Sequence, residues 1–198
     1  YSAMHSMVGG IMASISIVLI ISFVKIYTKG ITDIDYLDFI AAFLFSLNLM
    51  LECSRGASLA SANIAGKAPE TTWRYVLEAM INLISSLVFV QFIGMKGVLL
   101  GTSLAGIYRT TDSILYTNRH VLQRSSLKEF KMVWLDFFLF FGIAFMSVKV
   151  IKFDVTNYLQ LLEIAVVTGV MVILLYVLVF VLFNQKEAKD LIKALRKQ

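Results

Sequence analysis

The stretch that decides the fold is residues 73–125, WRYVLEAMINLISSLVFVQFIGMKGVLLGTSLAGIYRTTDSILYTNRHVLQRS, which predicts two membrane-crossing helices joined by a tight turn. Residues 79–95 carry no formal charge. After the turn, Gly97, Gly101 and Ala105 recur every four positions and share one helix face. Small residues on one face let two helix backbones approach closely in a bilayer, where lipid tails compete with apolar side chains for contact. We therefore predict a closely packed helical hairpin.

The composition of the whole chain is typical of an integral membrane protein. Of the 198 residues, 59% are hydrophobic and 16% are charged, with a mean hydropathy of +0.80. Soluble domains are about half apolar and about a quarter charged. The charged residues also cluster between apolar blocks, so an all-α integral membrane protein is favoured over a soluble all-helical one.

Apolar runs predict six transmembrane helices. The predicted spans are residues 7–27, 36–55, 74–93, 96–117, 131–151 and 158–183, against the about 20 residues that cross the hydrocarbon core. Small residues dominate residues 54–73, which also hold Pro69, so we predict a loop or a surface-lying segment there and a helix cap at Thr71 or Thr72. Residues 184–198 form a basic amphipathic tail, which predicts a helix at the membrane surface.

The distribution of Lys and Arg predicts the orientation of the spans. The net charge is +5, but the cations lie at the ends of the apolar runs rather than in a patch for nucleic acid. Most of them follow the second, fourth and sixth spans. By the positive-inside rule, the connections after these spans and the C-terminus are cytoplasmic.

Charged and polar side chains inside the spans mark where function is sought first, because charge at membrane depth is costly. Arg109 and Asp112 are three residues apart and share a face of the fourth span. Two interpretations are open: an internal ion pair, or an Arg109 that faces a water-filled cavity and receives an anion such as a phosphate. We predict Arg109, Arg55 and Asn82 as substrate-binding residues, although Asn82 also fits an interhelical hydrogen bond.

A carboxyl group also lies inside the fifth span, at Asp136. It has no partner one turn away, so it carries a proton or a cation, pairs with a cation on another helix, or reaches the lipid headgroups. We therefore class Asp112 and Asp136 as coupling or structural acids. At the start of the third span, Arg74 and Glu78 are four residues apart and predict a capping pair at the interface.

Motifs for covalent chemistry are missing from the sequence. There is no Walker loop, dinucleotide fingerprint, HExxH or GxSxG, so no catalytic residue and no cofactor is predicted. His5 and His120 have no metal-ligand spacing, and no metal is predicted. The sequence therefore favours transport over enzymatic chemistry.

The order of residues in the predicted hairpin resembles that of a transporter family. Residues 78–82 give E-A-x-I-N, and an apolar run then leads to G-x-x-G-V-x-x-G-T at residues 94–102. With the Arg-Thr pair at 109–110 and the segment YTNRHVLQRS at 116–125, this order resembles the polysaccharide transporter branch of the multidrug/oligosaccharidyl-lipid/polysaccharide exporter superfamily. The similarity covers most of residues 20–125.

The resemblance implies an oligosaccharide flippase of the bacterial cytoplasmic membrane, in which two six-helix lobes move a polyprenyl-diphosphate-linked sugar by alternating access. This chain would be the C-terminal lobe of a longer protein, which fits its start at Tyr1 rather than Met. The implied partners are membrane lipid, the lipid-linked oligosaccharide and the N-terminal lobe of the same protein. The chain departs from the family at Lys67, which follows Ala65 and Gly66 without the usual aromatic residue.

Two alternatives to a flippase are open. One is a membrane-embedded enzyme that acts on prenyl-linked sugars with Asp136 as its base. Such an enzyme would bring Asp136, His5 and a second acid together in one cavity. The other is a non-catalytic helical membrane scaffold, which would have no polar cavity.

Overall fold

The chain folds into a bundle of long helices. The computed structural model describes residues 2–31, 36–150, 155 and 157–183. These residues form six α-helices: α1 Ser2–Tyr27, α2 Phe39–Ile64, α3 Ala68–Ile93, α4 Met95–Tyr116, α5 Leu127–Val150 and α6 Tyr158–Phe183. A short π-helix, Thr117–Val121, continues α4. No strand occurs in the described residues, so the prediction of an all-α fold is confirmed. The predicted tail at 184–198 lies outside the described residues.

Five of the six helices are long and apolar enough to cross a membrane, namely Met4–Tyr27, Phe39–Ile64, Ala68–Ile93, Leu127–Val148 and Tyr158–Phe183. The exception is α4, the fourth predicted span, because it combines Arg109 and Asp112 with many Gly, Ser and Thr residues. A membrane-embedded protein is therefore supported, with five of the six predicted spans. The two-lobe arrangement, the bacterial cytoplasmic membrane and the cytoplasmic C-terminus stay predictions.

The prediction of a loop over residues 54–73 is wrong. Helix α2 continues to its end at Ile64, and α3 begins at Ala68, so residues 65–67 alone connect them. The small side chains in this stretch form a packing face instead, since Ala57, Ser58 and Ala62 are buried. Small residues serve a close helix contact as well as they serve a loop, and the composition does not distinguish the two.

The predicted cap of α3 at Thr71 or Thr72 is also wrong. Both hydroxyls lie inside the first turn and donate to the carbonyl oxygen of Ala68, at 2.9 Å and 3.2 Å. Pro69 occupies one of the first two positions of the helix. A proline costs little there, because the first N–H groups of a helix have no intrahelical acceptor.

The helices pack in two groups that share α2. Helix α1 contacts α2, α5 and α6, whereas α4 contacts α2 and α3. Buried apolar side chains of α1, α2 and α5 form the core of the first group, including Ile17, Met50 and Phe140. Helix α3 has Thr71 as its buried residue, and it exposes apolar side chains such as Leu83, which in a bilayer face lipid.

The predicted hairpin is formed by α3 and α4. Gly94 joins them with a φ of +61°, a conformation that favours glycine. A Cβ atom added to Gly97 would overlap the backbone of Phe89, and one added to Gly101 would overlap Ser86. The small residues therefore permit the close backbone contact that their spacing predicts.

Asp38 and Lys96 connect the start of α2 to the start of α4. The Asp38 carboxylate accepts hydrogen bonds from the backbone N–H groups of Ile40 at 2.9 Å and Ala41 at 3.3 Å, and so caps α2. Lys96 Nζ lies 2.7 Å from Asp38 Oδ2. The hydrogen bond from Lys96 is the main cause that lowers the pKa of Asp38 below its ordinary value of 3.8. This ion pair connects the start of α2 to the start of α4.

Candidate functional site

Six charged side chains of α2, α3 and α4 form one network of alternating sign. Its order is Glu52, Arg55, Glu78, Arg109, Asp112 and Arg74, and each neighbouring pair is within salt-bridge distance. Three arginines face three carboxylates, so the formal charges balance. Charges taken out of water are tolerated when they are paired in this way. We call this set of six residues the charge network.

Helical spacing explains how three helices contribute to the network. Glu52 and Arg55 are one turn apart on α2 and pair with each other. Arg74 and Glu78 share a face of α3, but the predicted capping pair between them is wrong, because Arg74 reaches Asp112 on α4 and Glu78 reaches Arg55 on α2. These two α3 side chains therefore link the helices on either side.

Arg109 is the most buried member of the network, with 1% of its surface exposed. Its Nη1 donates to Asp112 Oδ2 at 3.3 Å, and its guanidinium carbon lies 4.0 Å from the centre of the Tyr75 ring. Its Nε lies 3.5 Å from Glu78 Oε2, close enough for an ion pair but without hydrogen-bond geometry. Neither Nε nor Nη2 has a hydrogen-bond partner among the described residues. The structure thus shows the internal ion pair and leaves the N–H groups on two nitrogens of Arg109 without a hydrogen-bond acceptor among the described residues.

The other two predicted substrate-binding residues, Arg55 and Asn82, lie in different sites of the structure. Arg55 joins the network and donates to Glu78 Oε1 at 2.6 Å. Asn82 instead accepts hydrogen bonds from the hydroxyls of Ser86 at 3.0 Å and Thr102 at 3.3 Å. Asn82 therefore stabilises the contact between α3 and α4, which is the interhelical hydrogen bond that its position also predicts.

A basic groove opens beside the network, where α4 passes into the π-helix. It has a volume of about 710 Å³, and its walls include Arg74, Asp112, Tyr116, Arg119, His120 and Arg124. The guanidinium of Arg74 lies 4.5 Å from the Tyr116 ring and 5.0 Å from the Trp73 ring. The His120 ring stacks on Tyr116 at 4.8 Å. Because Arg74 and Asp112 belong to both, they connect the basic groove to the charge network.

Glu129 forms a second polar cluster, which the sequence analysis missed. Its Oε1 accepts from Ser2 Oγ at 2.5 Å and Ser58 Oγ at 2.7 Å, and its Oε2 accepts from Asn118 Nδ2 at 2.6 Å. Arg124 Nη2 lies 3.4 Å from Oε2. This one carboxylate joins α1, α2, the π-helix and α5. The available signal was an acidic residue in the first turn of a helix, where negative charge is favourable.

Asp136 lies on the other side of the bundle, between α1 and α6. It is 1% exposed, and its Oδ2 accepts a hydrogen bond from Ser6 Oγ at 2.5 Å. Tyr176 OH lies 3.4 Å from the main-chain oxygen of Asp136 and 3.0 Å from Ser14 Oγ. No ion pair to Asp136 occurs within the part of the chain that the structure describes. Asp112 and Asp136 therefore belong to separate sites.

Neither metal ligation nor similarity to known proteins defines the site further. The described residues contain no group of three His, Cys, Asp or Glu side chains that could hold a metal ion. No family model matches the chain, and no curated protein or solved structure matches it either. The resemblance to polysaccharide transporters therefore stays a prediction from the residues themselves.

Proposed function

We propose that this chain is the C-terminal lobe of a flippase that moves an anionic, lipid-linked polysaccharide precursor across the bacterial cytoplasmic membrane. The observation that supports this proposal is the charge network of α2, α3 and α4, in which Arg55 and Arg109 are buried and which meets a basic groove through Arg74. Ionisable side chains within membrane helices are rare and mark the paths of polar substrates. A lipid-linked diphosphate is a polar substrate with negative charge, and arginines bind negatively charged groups.

The depth of Arg109 strengthens this argument. Arg109 lies about 12 Å before the start of the π-helix along the axis of α4, from a rise of about 1.5 Å per residue. A guanidinium carries five N–H donors, and one carboxylate satisfies about two of them. Nη2 of Arg109, which has no hydrogen-bond partner among the described residues, therefore retains the capacity to bind an anion.

The proposed mechanism is an exchange of ion-pair partners during alternating access. In the state described here, Arg55 and Arg109 are paired with the carboxylates of the network. A diphosphate can replace those carboxylates one at a time, so the arginines never lose all their countercharge. Arg55 and Arg109 then bind the substrate, Asp112 stays paired with Arg74, and Asn82 keeps the hairpin closed. Transport of this kind requires no covalent step, and the N-terminal lobe supplies the opposite wall of the path.

The two alternatives have less support from the structure. A scaffold has no use for a groove of about 710 Å³ that is lined by three arginines. An enzyme with Asp136 as its base needs that carboxyl group to meet a substrate, but its Oδ2 is hydrogen-bonded to Ser6. The residues that line the basic groove do not include Asp136.

The test is transport by the full-length protein that contains this chain, reconstituted in lipid vesicles. A fluorescent prenyl-diphosphate sugar is placed in both leaflets, and its movement is measured as the fraction that a membrane-impermeant quencher reaches. We expect Arg109→Ala to abolish movement and Arg109→Lys to retain part of it, because lysine keeps the charge but loses the planar fork of donors. Lys131→Ala removes an exposed charge outside the groove and is the matched control.

The result depends on variants that remain folded, so each is first checked for a monodisperse profile in detergent. Membrane insertion should be unaffected by Arg109→Ala, because insertion follows overall hydropathy. Normal transport by a folded Arg109→Ala variant would contradict the proposal.

A further inference from the structure

We infer that the basic groove binds a phosphate or diphosphate group, and that this ligand takes Arg74 away from Asp112 as it binds. The inference deepens the proposed transport function and rests on it for the lipid-borne form of the ligand. It assigns the groove as the place where the charged headgroup first meets the protein.

The charges around the groove favour an anion. Three arginines line it with one carboxylate, Asp112. Arg119 is exposed and has no ion pair within the described residues. Arg124 is anchored through Nε to Asn118 at 2.7 Å, yet 53% of its side chain stays exposed. Guanidinium groups bind phosphate oxygens through two parallel hydrogen bonds, so this arrangement suits a phosphate better than a carboxylate or a cation.

Arg74 is held in a way that allows it to change partners. Its Nη1 donates to Asp112 Oδ1, and its buried Nε has no hydrogen-bond partner among the described residues. The rings of Trp73 and Tyr116 lie near its guanidinium group and can hold the cation while it turns. Arg74 can therefore reach a ligand in the groove without first moving into water.

Asp112 remains compensated when Arg74 leaves. Its Oδ2 accepts a hydrogen bond from Arg109 Nη1 at 3.3 Å. The departure of Arg74 therefore frees Oδ1 alone, and the charge of Asp112 stays paired. Ligand binding in the groove therefore changes the set of partners of Asp112, which is in direct contact with Arg109, the most buried arginine of the network.

The aromatic residues around the groove are of types that are typical of the membrane surface, where lipid phosphates lie. The groove forms where α4 changes into the π-helix, and the chain then turns at Gln123 with a φ of +48°. Single π-turns are frequent at functional sites, because they re-aim the side chains that follow. Trp73 and Tyr116 beside the groove are of the types that are enriched at the membrane–water interface.

If Arg74 exchanges Asp112 for the ligand, substitutions of Arg74 and of Asp112 should change the affinity for the ligand in opposite directions. Arg74→Ala removes a ligand contact and should weaken binding about tenfold or more, as the loss of a charge-assisted hydrogen bond does. Asp112→Asn removes the competing carboxylate and should tighten binding about tenfold. General attraction between a basic surface and an anion would respond far less to either change, since exposed charges are screened by salt.

The experiment uses the full-length protein in nanodiscs of neutral phosphatidylcholine, with Trp134→Phe as the background so that Trp73 is the remaining tryptophan of this chain. Inorganic diphosphate and a short-chain prenyl diphosphate are titrated separately, and Trp73 fluorescence is recorded. We expect a saturable change with the prenyl diphosphate that Arg119→Ala weakens about tenfold and Lys131→Ala leaves unchanged. Arg119 and Lys131 are both exposed, so both variants should fold.

The outcomes separate this inference from the transport proposal. A response to both ligands, with the expected order of variants, supports a phosphate site, and a response to the prenyl diphosphate alone supports a lipid-borne one. No saturable response to either ligand, or equal losses in Arg119→Ala and Lys131→Ala, would overturn the site. If transport occurs but the groove does not bind the ligands, the inference is wrong and the proposed function is retained. If the groove binds the ligands but no transport occurs, the inference is retained and the proposed function is wrong.

Discussion

Asp112 and Asp136 are carboxyl groups inside neighbouring regions of one bundle, and their surroundings are opposite. Asp112 contacts two arginines and borders an open groove. Asp136 is enclosed and accepts a hydrogen bond from the hydroxyl of Ser6. Arginine pairs require an ionised carboxylate, whereas a hydroxyl can donate to a carboxylate or accept from a carboxylic acid. The difference indicates that Asp112 is held by cationic partners of α3 and α4, whereas Asp136 is held by a neutral hydroxyl group of α1.

The largest expected effect is that of Asp112→Asn. Both oxygens of Asp112 face arginine donors, so the new amide must point an N–H group at a cation. We expect a loss of about 2–3 kcal/mol of stability, measured as a lower Tm in nanodiscs without ligand. An Asp112→Asn variant as stable as the unmodified protein would contradict the contrast between Asp112 and Asp136, because the ion pairs of Asp112 would then contribute nothing to stability.

Glu129→Gln should have the next largest effect, since Glu129 combines features of both sites. Its carboxylate accepts from two serines and Asn118 and also lies near Arg124. An amide N–H group must therefore face at least one donor, and we expect a loss of about 1–2 kcal/mol. The same thermal measurement, together with faster hydrogen exchange at the start of α5, checks this. Glu129→Asp is the control that keeps the charge but shortens the reach.

Asp136→Asn should be much milder than Asp112→Asn. The amide can accept from Ser6 or donate to it, so the hydrogen bond survives in either orientation. We expect a loss of less than about 1 kcal/mol in stability, and Ser6→Ala should cost a similar amount. Equal losses for Asp112→Asn and Asp136→Asn would show that the two sites stabilise the fold in the same way.

The smallest effect concerns the partly exposed pair of Asp38 and Lys96, which is a single ion pair outside the charge network. The lowered pKa of Asp38 means that its stabilising contribution is present above its ordinary value of 3.8 and is lost as the pH falls through the lower folded value. We expect less than about 1 kcal/mol, because the pair is partly exposed. The measurement is Tm against pH for the protein and for Lys96→Met. The two curves should converge in acid, and parallel curves would contradict the assignment.

Several features of the fold and site could be predicted from local sequence. Charge-free runs predict the helices, and the spacing of Gly97, Gly101 and Ala105 predicts the hairpin. Both patterns are visible in the sequence because each lies within one helix. The pair of Arg109 and Asp112 is visible for the same reason, since the two residues are one turn apart.

Other features depend on contacts between helices that no local pattern encodes. Arg74 shares a face with Glu78, yet its partner is Asp112, 38 residues further along the chain. Glu129 binds Ser2, 127 residues away. Polar residues near a predicted loop look like solvated residues until the tertiary packing brings them together, which is why the sequence analysis missed the Glu129 cluster and the basic groove.

The Glu129 cluster has a consequence for how the protein is made. The donor Ser2 leaves the ribosome 127 residues before its acceptor Glu129, and Ser58 leaves 71 residues before it. The early helices therefore enter the membrane with hydroxyl groups that water must satisfy at the surface until α5 arrives. The four segments cannot be joined by this carboxylate until Glu129 has been synthesised. Translation therefore sets the earliest moment at which this end of the bundle can close.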